Sequence, residues 1–274
     1  MFTLDGSAAG GKINQTEVGG FQADQLKPKA NEPSRYLFMS EIYFIRHGQA
    51  SFGEDNYDRL SPLGVRQAKC LAKHLAKTEK SFDGVYYGEM ERQQNTAREF
   101  INHYSSKGLT VPVPVVSKAF NEYDSFAVWH ALIPEMLEDE PSIAKDLDKL
   151  PGDQKAFQRV FAPLMTRWIT GKYKADGIPR WDDFTRRVRQ GIEELAACNG
   201  ADKRLVVFTS GGPISVAVQI ALGLSDKKAL EISWQLLNAS ITRIKYNSRG
   251  MMLAGFNEVT HLELAAGEGF LTYR

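Results

Sequence analysis

Arg46, His47 and Gly48 follow directly on the apolar run Ile42-Tyr43-Phe44-Ile45. A short run of that kind reads as a buried strand. The triplet therefore sits where a strand ends, and Gly48 lets the backbone turn sharply there. A second arginine, Arg92, falls in the first turn of a helix predicted over Arg92–Tyr104, behind a strand at Val85-Tyr86-Tyr87. A cation at that place gains nothing from the helix dipole, whose amino end favours negative charge. A bound anion would repair the mismatch, and a phosphate presented to guanidinium groups would do so well. The chemistry on offer is the handling of a tetrahedral anion beside an imidazole.

Such residues need elements that gather strand ends, and the hydrophobic pattern supplies them. Ser61-Pro62 opens a helix, with serine as N-cap and proline at the first helical position; Leu63, Ala68, Leu71 and Leu75 form its apolar stripe. Val113–Val116 reads as a third strand, with Pro112 and Pro114 marking an edge or irregular start. A helix over Trp181–Cys198, a strand over Arg204–Thr209 and a helix from Pro213 follow. Ser240–Tyr246 and Met251–Phe256 flank Ser248-Arg249-Gly250 as a β-hairpin. Between about residues 121 and 180 the alternation lapses. An acidic helical stretch (Pro134–Leu150) and Phe157, Phe161, Leu164 and Trp168 at helical spacing predict a helical insertion over the sheet's carboxyl edge. Alternating strands and helices imply an α/β fold, a three-layer αβα sandwich whose mainly parallel sheet has helices on both faces. Sites in such sheets lie at strand carboxyl ends. Residues 1–39 lack a sustained hydrophobic period and read as a flexible N-terminal extension, with Met39 a candidate natural start; residues 40–274 read as one domain.

Ile42–Gly48 resembles the opening strand and Arg-His-Gly motif of the histidine phosphatase, or phosphoglycerate-mutase-like, superfamily. Tyr86–Ala97 is similar to that family's second signature, an arginine ahead of a Thr-Ala pair. Phe120-Asn121-Glu122 resembles the stretch that supplies a proton-donating glutamate. Leu205–Ile214 resembles the strand, Gly-Gly turn and helix that close the site, and Asn257–Leu262 the terminal Asn…His-Leu pattern. The resemblance implies that His47 is a nucleophile forming a phosphohistidine that water hydrolyses. The charges of Arg46 and Arg92 should hold that imidazole neutral while clamping phosphoryl oxygens. Glu122 would protonate the leaving oxygen and then activate water. Gln49 and Ser51 are further phosphate contacts by the same resemblance. No metal or other cofactor is implied, and the partner is a small phosphorylated substrate or a phosphoprotein.

One departure stands out. The family carries a second histidine directly before the Gly-Gly turn, where this chain has Ser210. A hydroxyl donates one hydrogen bond and carries no charge, and losing a donor to a transition-state oxyanion costs about 3–4 kcal/mol. Backbone N–H groups of Gly211 and Gly212 at a helix start would compensate in part. A catalytically weak phospho-ligand binder is therefore an alternative to a working phosphomonoesterase. A remoter one is a serine hydrolase using Ser210 in a nucleophile elbow, although Phe208-Thr209-Ser210-Gly211-Gly212 lacks that motif's preceding glycine. A mutase fits less well, because Gln49-Ala50-Ser51-Phe52-Gly53 lacks the Glu-Ser and Trp-Asn pattern of phosphoglycerate mutases.

Other conspicuous residues have plainer readings. His74, His103, His130 and His261 read as structural or surface groups, and the tryptophans as packing. Arg186-Arg187-Val188-Arg189 reads as a solvated helix face. Cys70 and Cys198 fit no metal or redox spacing and read as buried free thiols, a usage that suits a reducing cytoplasm. Among the 274 residues, 43% are hydrophobic and 24% charged, as in an ordinary globular protein. The net charge of +1 gives no global field for nucleic acid or a membrane surface. The apolar stretch Leu205–Leu224 is broken by Thr209, Ser210, Gly211, Gly212 and Pro213, so it reads as strand, turn and helix, not a membrane span. No secretory pattern opens the chain, and no pattern specifies an oligomeric state.

Overall fold

The computed structural model describes residues 39–273 apart from 52, 53, 55, 79, 151, 172–176 and 266–268. The extension expected over residues 1–39 lies outside them, Met39 excepted. The first buried run becomes strand β1 (Ser40–Arg46). Helix α1 (Pro62–Lys77) starts as its cap dictates, with Ser61 Oγ accepting from Gly64 N. Strand β2 (Gly84–Tyr87) and helix α2 (Glu91–Ser106) come next. Strand β3 is only Val115–Val116, with both residues exposed at an edge; Pro112 and Pro114 have no N–H to give a ladder.

The insertion is helical but divides differently from expectation. Helix α3 (Ser125–Asp139) carries Pro134 inside it, because Asp124 caps its start by accepting from Ala127 N. The acidic stretch is then split before Pro141, where Glu140 is forced out of helical geometry (φ −136°, ψ 74°). A short helix α4 (Ala144–Leu147) and the longer α5 (Gln154–Thr170) complete the segment. Helix α6 (Trp181–Asn199), strand β4 (Arg204–Thr209), helices α7 (Gly211–Leu222) and α8 (Asp226–Ser233), the hairpin β5 (Ile241–Asn247) and β6 (Gly250–Glu258), and helix α9 (Thr260–Glu263) close the chain. Helix α7 begins two residues before Pro213, whose missing N–H costs nothing within a first turn.

These strands form one mixed sheet in the order β3-β2-β4-β1-β5-β6. Strands β3, β2, β4 and β1 run parallel, and β5 runs against β1 and β6. The helices cover both faces, and alternation along each strand feeds two cores. Ile42, Phe44, Leu205 and Val207 pack with the α5, α6 and α7 side. Tyr43, Ile45, Val206 and Phe208 pack with α1 and α2. The parallel register pairs Arg46 with Thr209, Tyr87 with Phe208 and Tyr87 with Val116. Four strand carboxyl ends therefore share one edge, and His47, Arg92, Glu122 and Ser210 all follow from it. No helix among the described residues is long and apolar enough to cross a membrane.

The cysteines differ from expectation. Cys198 is exposed in the last turn of α6, beyond the residues that face the sheet, and Cys70 is half-buried with its thiol directed at the His261 carbonyl, 3.0 Å away.

Candidate active site

His47 leaves β1 with its backbone held on two sides: its N–H donates to Thr209 O (2.9 Å), and its carbonyl accepts from Ala239 N (3.1 Å) and Asn238 Nδ2 (3.2 Å). Gly48 approaches α1 so closely that a Cβ would lie 2.4 Å from Gly64 O. Only glycine allows that turn. Its N–H donates to Thr96 Oγ1 (3.1 Å), which ties the loop to α2.

The imidazole is buried and its two nitrogens face different partners. Arg92 Nε, which can only donate, lies 3.1 Å from His47 Nε2. Nδ1 lies 2.7 Å from Gly48 O, which can only accept. Both contacts are satisfied by one tautomer, the neutral ring with its proton on Nδ1 and a lone pair on Nε2. Burial and then the charges of Arg92 and Arg46 drive the His47 pKa well below the usual histidine value, against a smaller opposing effect of the Gly48 carbonyl.

Arg92 is buried at the start of α2, and the anion that answers its position in the first turn is Asp58. One Asp58 oxygen pairs with Arg92 Nη1, and the other accepts from Glu91 N (2.7 Å). Arg92 Nη2 faces Met90 Sδ (3.0 Å), and its Cζ lies 5.6 Å from the Tyr57 ring centroid. Arg46 directs Nη1 at the carbonyl of Leu236, in the loop after α8.

Glu122 sits against the start of α7. Its Oε2 accepts from Gly212 N (3.0 Å) and its Oε1 from Tyr123 N (3.2 Å). Gly212 makes the approach possible, since a Cβ there would fall 2.1 Å from Oε1. The Gly212 N–H expected to meet a phosphate is thus committed to a carboxylate. Burial raises the Glu122 pKa, outweighing the lowering by these N–H donors and by the charges of Arg92 and Arg46. Both guanidinium charges therefore act on both His47 and Glu122.

Ser210 is fully buried, and its Oγ accepts from Gln93 Nε2 (2.8 Å), which also donates to Phe120 O (3.1 Å). The remaining expected contacts sit to one side. Gln49 Oε1 accepts from Ser61 Oγ (2.8 Å), and a cleft of about 540 Å³ lined by Gln49, Ser51, Arg59 and Ser61 includes neither His47 nor Arg92. Gly211 stands beside Ser233 O and the Glu122 carboxylate. Five residues were missed from sequence: Asp58, Gln93, Thr96, Arg187 and Asn238. Arg187 is not the solvated residue expected of its run; half-buried, it donates to Asn121 O (2.6 Å) and its charge reaches Glu122. Gln93 and Thr96 share the Arg92 helix, one residue and four residues on; Thr96 stands in the Thr-Ala pair of the second signature and at the spacing that puts it on the Arg92 face, whereas nothing local marked Gln93.

Comparison with known proteins identifies the family. Residues 42–259 match the histidine phosphatase superfamily (branch 1). A 114-residue stretch is 26% identical to the Caenorhabditis elegans protein "Serine/threonine-protein phosphatase Pgam5, mitochondrial", covering 41% of this chain and 40% of that one. The chain thus spans about two fifths of that relative's length. Among solved structures, Entamoeba histolytica phosphoserine phosphatase superposes with a TM-score of 0.55 at 20% identity, over 82% of this chain and 100% of its own. The mycobacterial glucosyl-3-phosphoglycerate phosphatase gives 0.56 at 21% identity, over 81% and 100%. At such identities the structures establish a shared fold. With the family match running from the first strand of the sheet to the end of the last, and the motif residues gathered at one edge, the chain belongs to branch 1 of the histidine phosphatase superfamily.

Proposed function

We propose that the protein is a phosphomonoesterase working through His47. Nε2 attacks phosphorus as the bond to the ester oxygen breaks, and Glu122 gives its proton to that oxygen. Water then attacks the phosphohistidine, Glu122 takes the water's proton, the N–P bond breaks and inorganic phosphate leaves. Arg92 and Arg46 hold the phosphoryl oxygens, Ser210 donates one hydrogen bond, and Gln49, Ser51 and the Gly211 N–H are secondary contacts. The carrying observation is the pair of contacts at the His47 ring, Arg92 Nε on Nε2 and the Gly48 carbonyl on Nδ1, which a neutral ring with its lone pair at Nε2 satisfies. A phosphate arriving on Arg92 competes for that donor and frees the lone pair. The substrate is a small phosphorylated molecule or a phosphoprotein, and the cytoplasm is the proposed location.

Hydrolysis of p-nitrophenyl phosphate by wild type and His47→Ala tests this. Abolished turnover in the variant, with a base-stable phosphoryl group trapped on the His47 peptide of wild type, is the expected result; surviving turnover rejects the mechanism. A second reading, a phosphate-binding protein with little turnover, draws on Ser210, an uncharged group whose partner is an amide. Phosphate binding without turnover in wild type would favour it. The serine hydrolase reading finds no support there, because an amide cannot take the Ser210 proton.

A further inference from the structure

Two aromatic rings stand at the rim of this site, and no step above uses them. Tyr57 lies over the Arg92 guanidinium, 5.6 Å from Cζ to its centroid. Phe126 meets Tyr57 edge to face at 6.2 Å. Phe126 is 59% exposed although it sits in the first turn of α3, four residues after Glu122; Tyr57 is 37% exposed. A phenylalanine so exposed recovers little of the free energy its burial would give. Its placement joins the two functional groups that a phosphate ester touches. Tyr57 borders the arginine that holds the phosphoryl group, and Phe126 rises from the segment that supplies the proton to the leaving oxygen.

From this juxtaposition we infer that Tyr57 and Phe126 form a leaving-group subsite selecting aryl phosphates, esters in which an aromatic ring is bonded directly to the bridging oxygen. The inference rests on the phosphomonoesterase reading. A ring one atom from phosphorus comes alongside the residues that flank Arg92, whereas a short alkyl chain offers no π face to pack. The edge contact between Tyr57 and Phe126 sets the two rings steeply to each other, 84° apart, so a substrate ring stacked on one stands nearly perpendicular to the other. The same chemistry is carried by a free aryl ester and by a phosphotyrosine side chain.

The test compares kcat/KM for phenyl phosphate and propyl phosphate in wild type, Phe126→Ala and Phe126→Leu. The aryl-to-alkyl ratio is expected to fall about tenfold in Phe126→Ala and less in Phe126→Leu. An unchanged ratio, whether both rates hold or both drop, overturns the subsite and leaves the rings as packing between the Tyr57 loop and α3. Free phosphotyrosine and the same residue within a short peptide separate the two sources, and loss of their advantage over the matching phosphoserine compounds in Phe126→Ala supports the rim. Calorimetry with phenylphosphonate and methylphosphonate needs no turnover. A phenyl preference that Phe126→Ala removes sustains the subsite even if wild type hydrolyses nothing, and equal binding of the two phosphonates by wild type overturns it.

Discussion

Burial and the charges of Arg92 and Arg46 all penalise an imidazolium at residue 47. The neutral ring therefore persists as pH falls below the range in which an exposed histidine titrates. Glu122 is displaced the other way, chiefly by burial, so its proton is retained above the usual carboxylate range. Attack needs His47 neutral, a fraction lost as pH falls through a lowered pKa; leaving-group protonation needs Glu122 neutral, a fraction lost as pH rises through a raised one. The kcat/KM profile on an alkyl phosphate is expected to be a bell. Glu122→Gln should remove its basic limb and leave the acid limb in place; an unaltered basic limb would take the acid role from Glu122. Ser210 yields a second expectation. Gln93 donates to its Oγ, so the hydroxyl proton is directed elsewhere. Ser210→Ala should lower kcat about a hundredfold if that proton meets the transferring phosphoryl group, and a change under twofold would show that Ser210 only fills space. Arg46, His47 and Arg92 were named from sequence because Arg46 ends β1, His47 follows it and Arg92 lies in the first turn of α2; Glu122, which neither follows a strand directly nor opens a helix, was named only through the family resemblance. Asp58 was not, since only the folded loop brings its carboxylate to the start of α2, where it answers a mismatch that sequence reasoning assigned to phosphate.

The loop between α8 and β5 does more for the site than its sequence suggests. Ala239 adopts a left-handed conformation (φ 55°), which costs a residue with a Cβ about 1 kcal/mol. It is held there by its N–H on the His47 carbonyl and by His261 Nε2 on its own carbonyl (3.0 Å). Asn257, also left-handed (φ 51°), accepts from Leu237 N and donates to Gln235 O, fixing the stretch whose Leu236 carbonyl receives Arg46. The terminal Asn…His pattern thus braces the His47 loop from behind. His261 is buried, its pKa lowered to about 4 mainly by burial, so it works as a neutral donor. His261→Ala should destabilise the fold by about 2 kcal/mol through the stranded Ala239 carbonyl and reduce kcat about tenfold as His47 drifts. Adding Ala239→Gly should return most of the kcat without the stability, because glycine takes the left-handed turn unaided; a double variant as slow as the single one would reject the Ala239 turn as the link, and an unchanged kcat in His261→Ala alone would confine His261 to stability. Elements with an uninterrupted pattern, such as Arg204–Thr209, were read from sequence to the residue. Those governed by one cap or proline shifted: α3 starts at the Asp124 cap, and β3 shrank behind Pro114.

Across the whole molecule, β1 and β4 each send alternate residues into opposite cores, so neither face of the sheet can lose its packing while the other keeps these strands. The insertion is joined to that system, not appended: Val128, Leu132, Met136, Val160, Leu164 and Trp168 belong to the same cluster as Phe44 and Val207. Sequence periodicity showed the insertion to be helical but not this fusion, because contacts between distant segments leave no local repeat. The tryptophans offer a direct check. Trp168 and Trp181 lie in the cluster on the α5–α6 side, and Trp129 and Trp234 pack against it. Their fluorescence therefore follows that face, whereas far-ultraviolet circular dichroism follows the helices of both. Urea unfolding is expected to give coincident midpoints by the two probes, and activity on a phosphate ester should vanish along the same curve, since His47 hangs between β1 and the Thr209 carbonyl of β4. A fluorescence midpoint clearly below the dichroism midpoint would mean that the insertion melts first. Activity tracking the earlier curve would then place control of the site in the insertion rather than in the sheet.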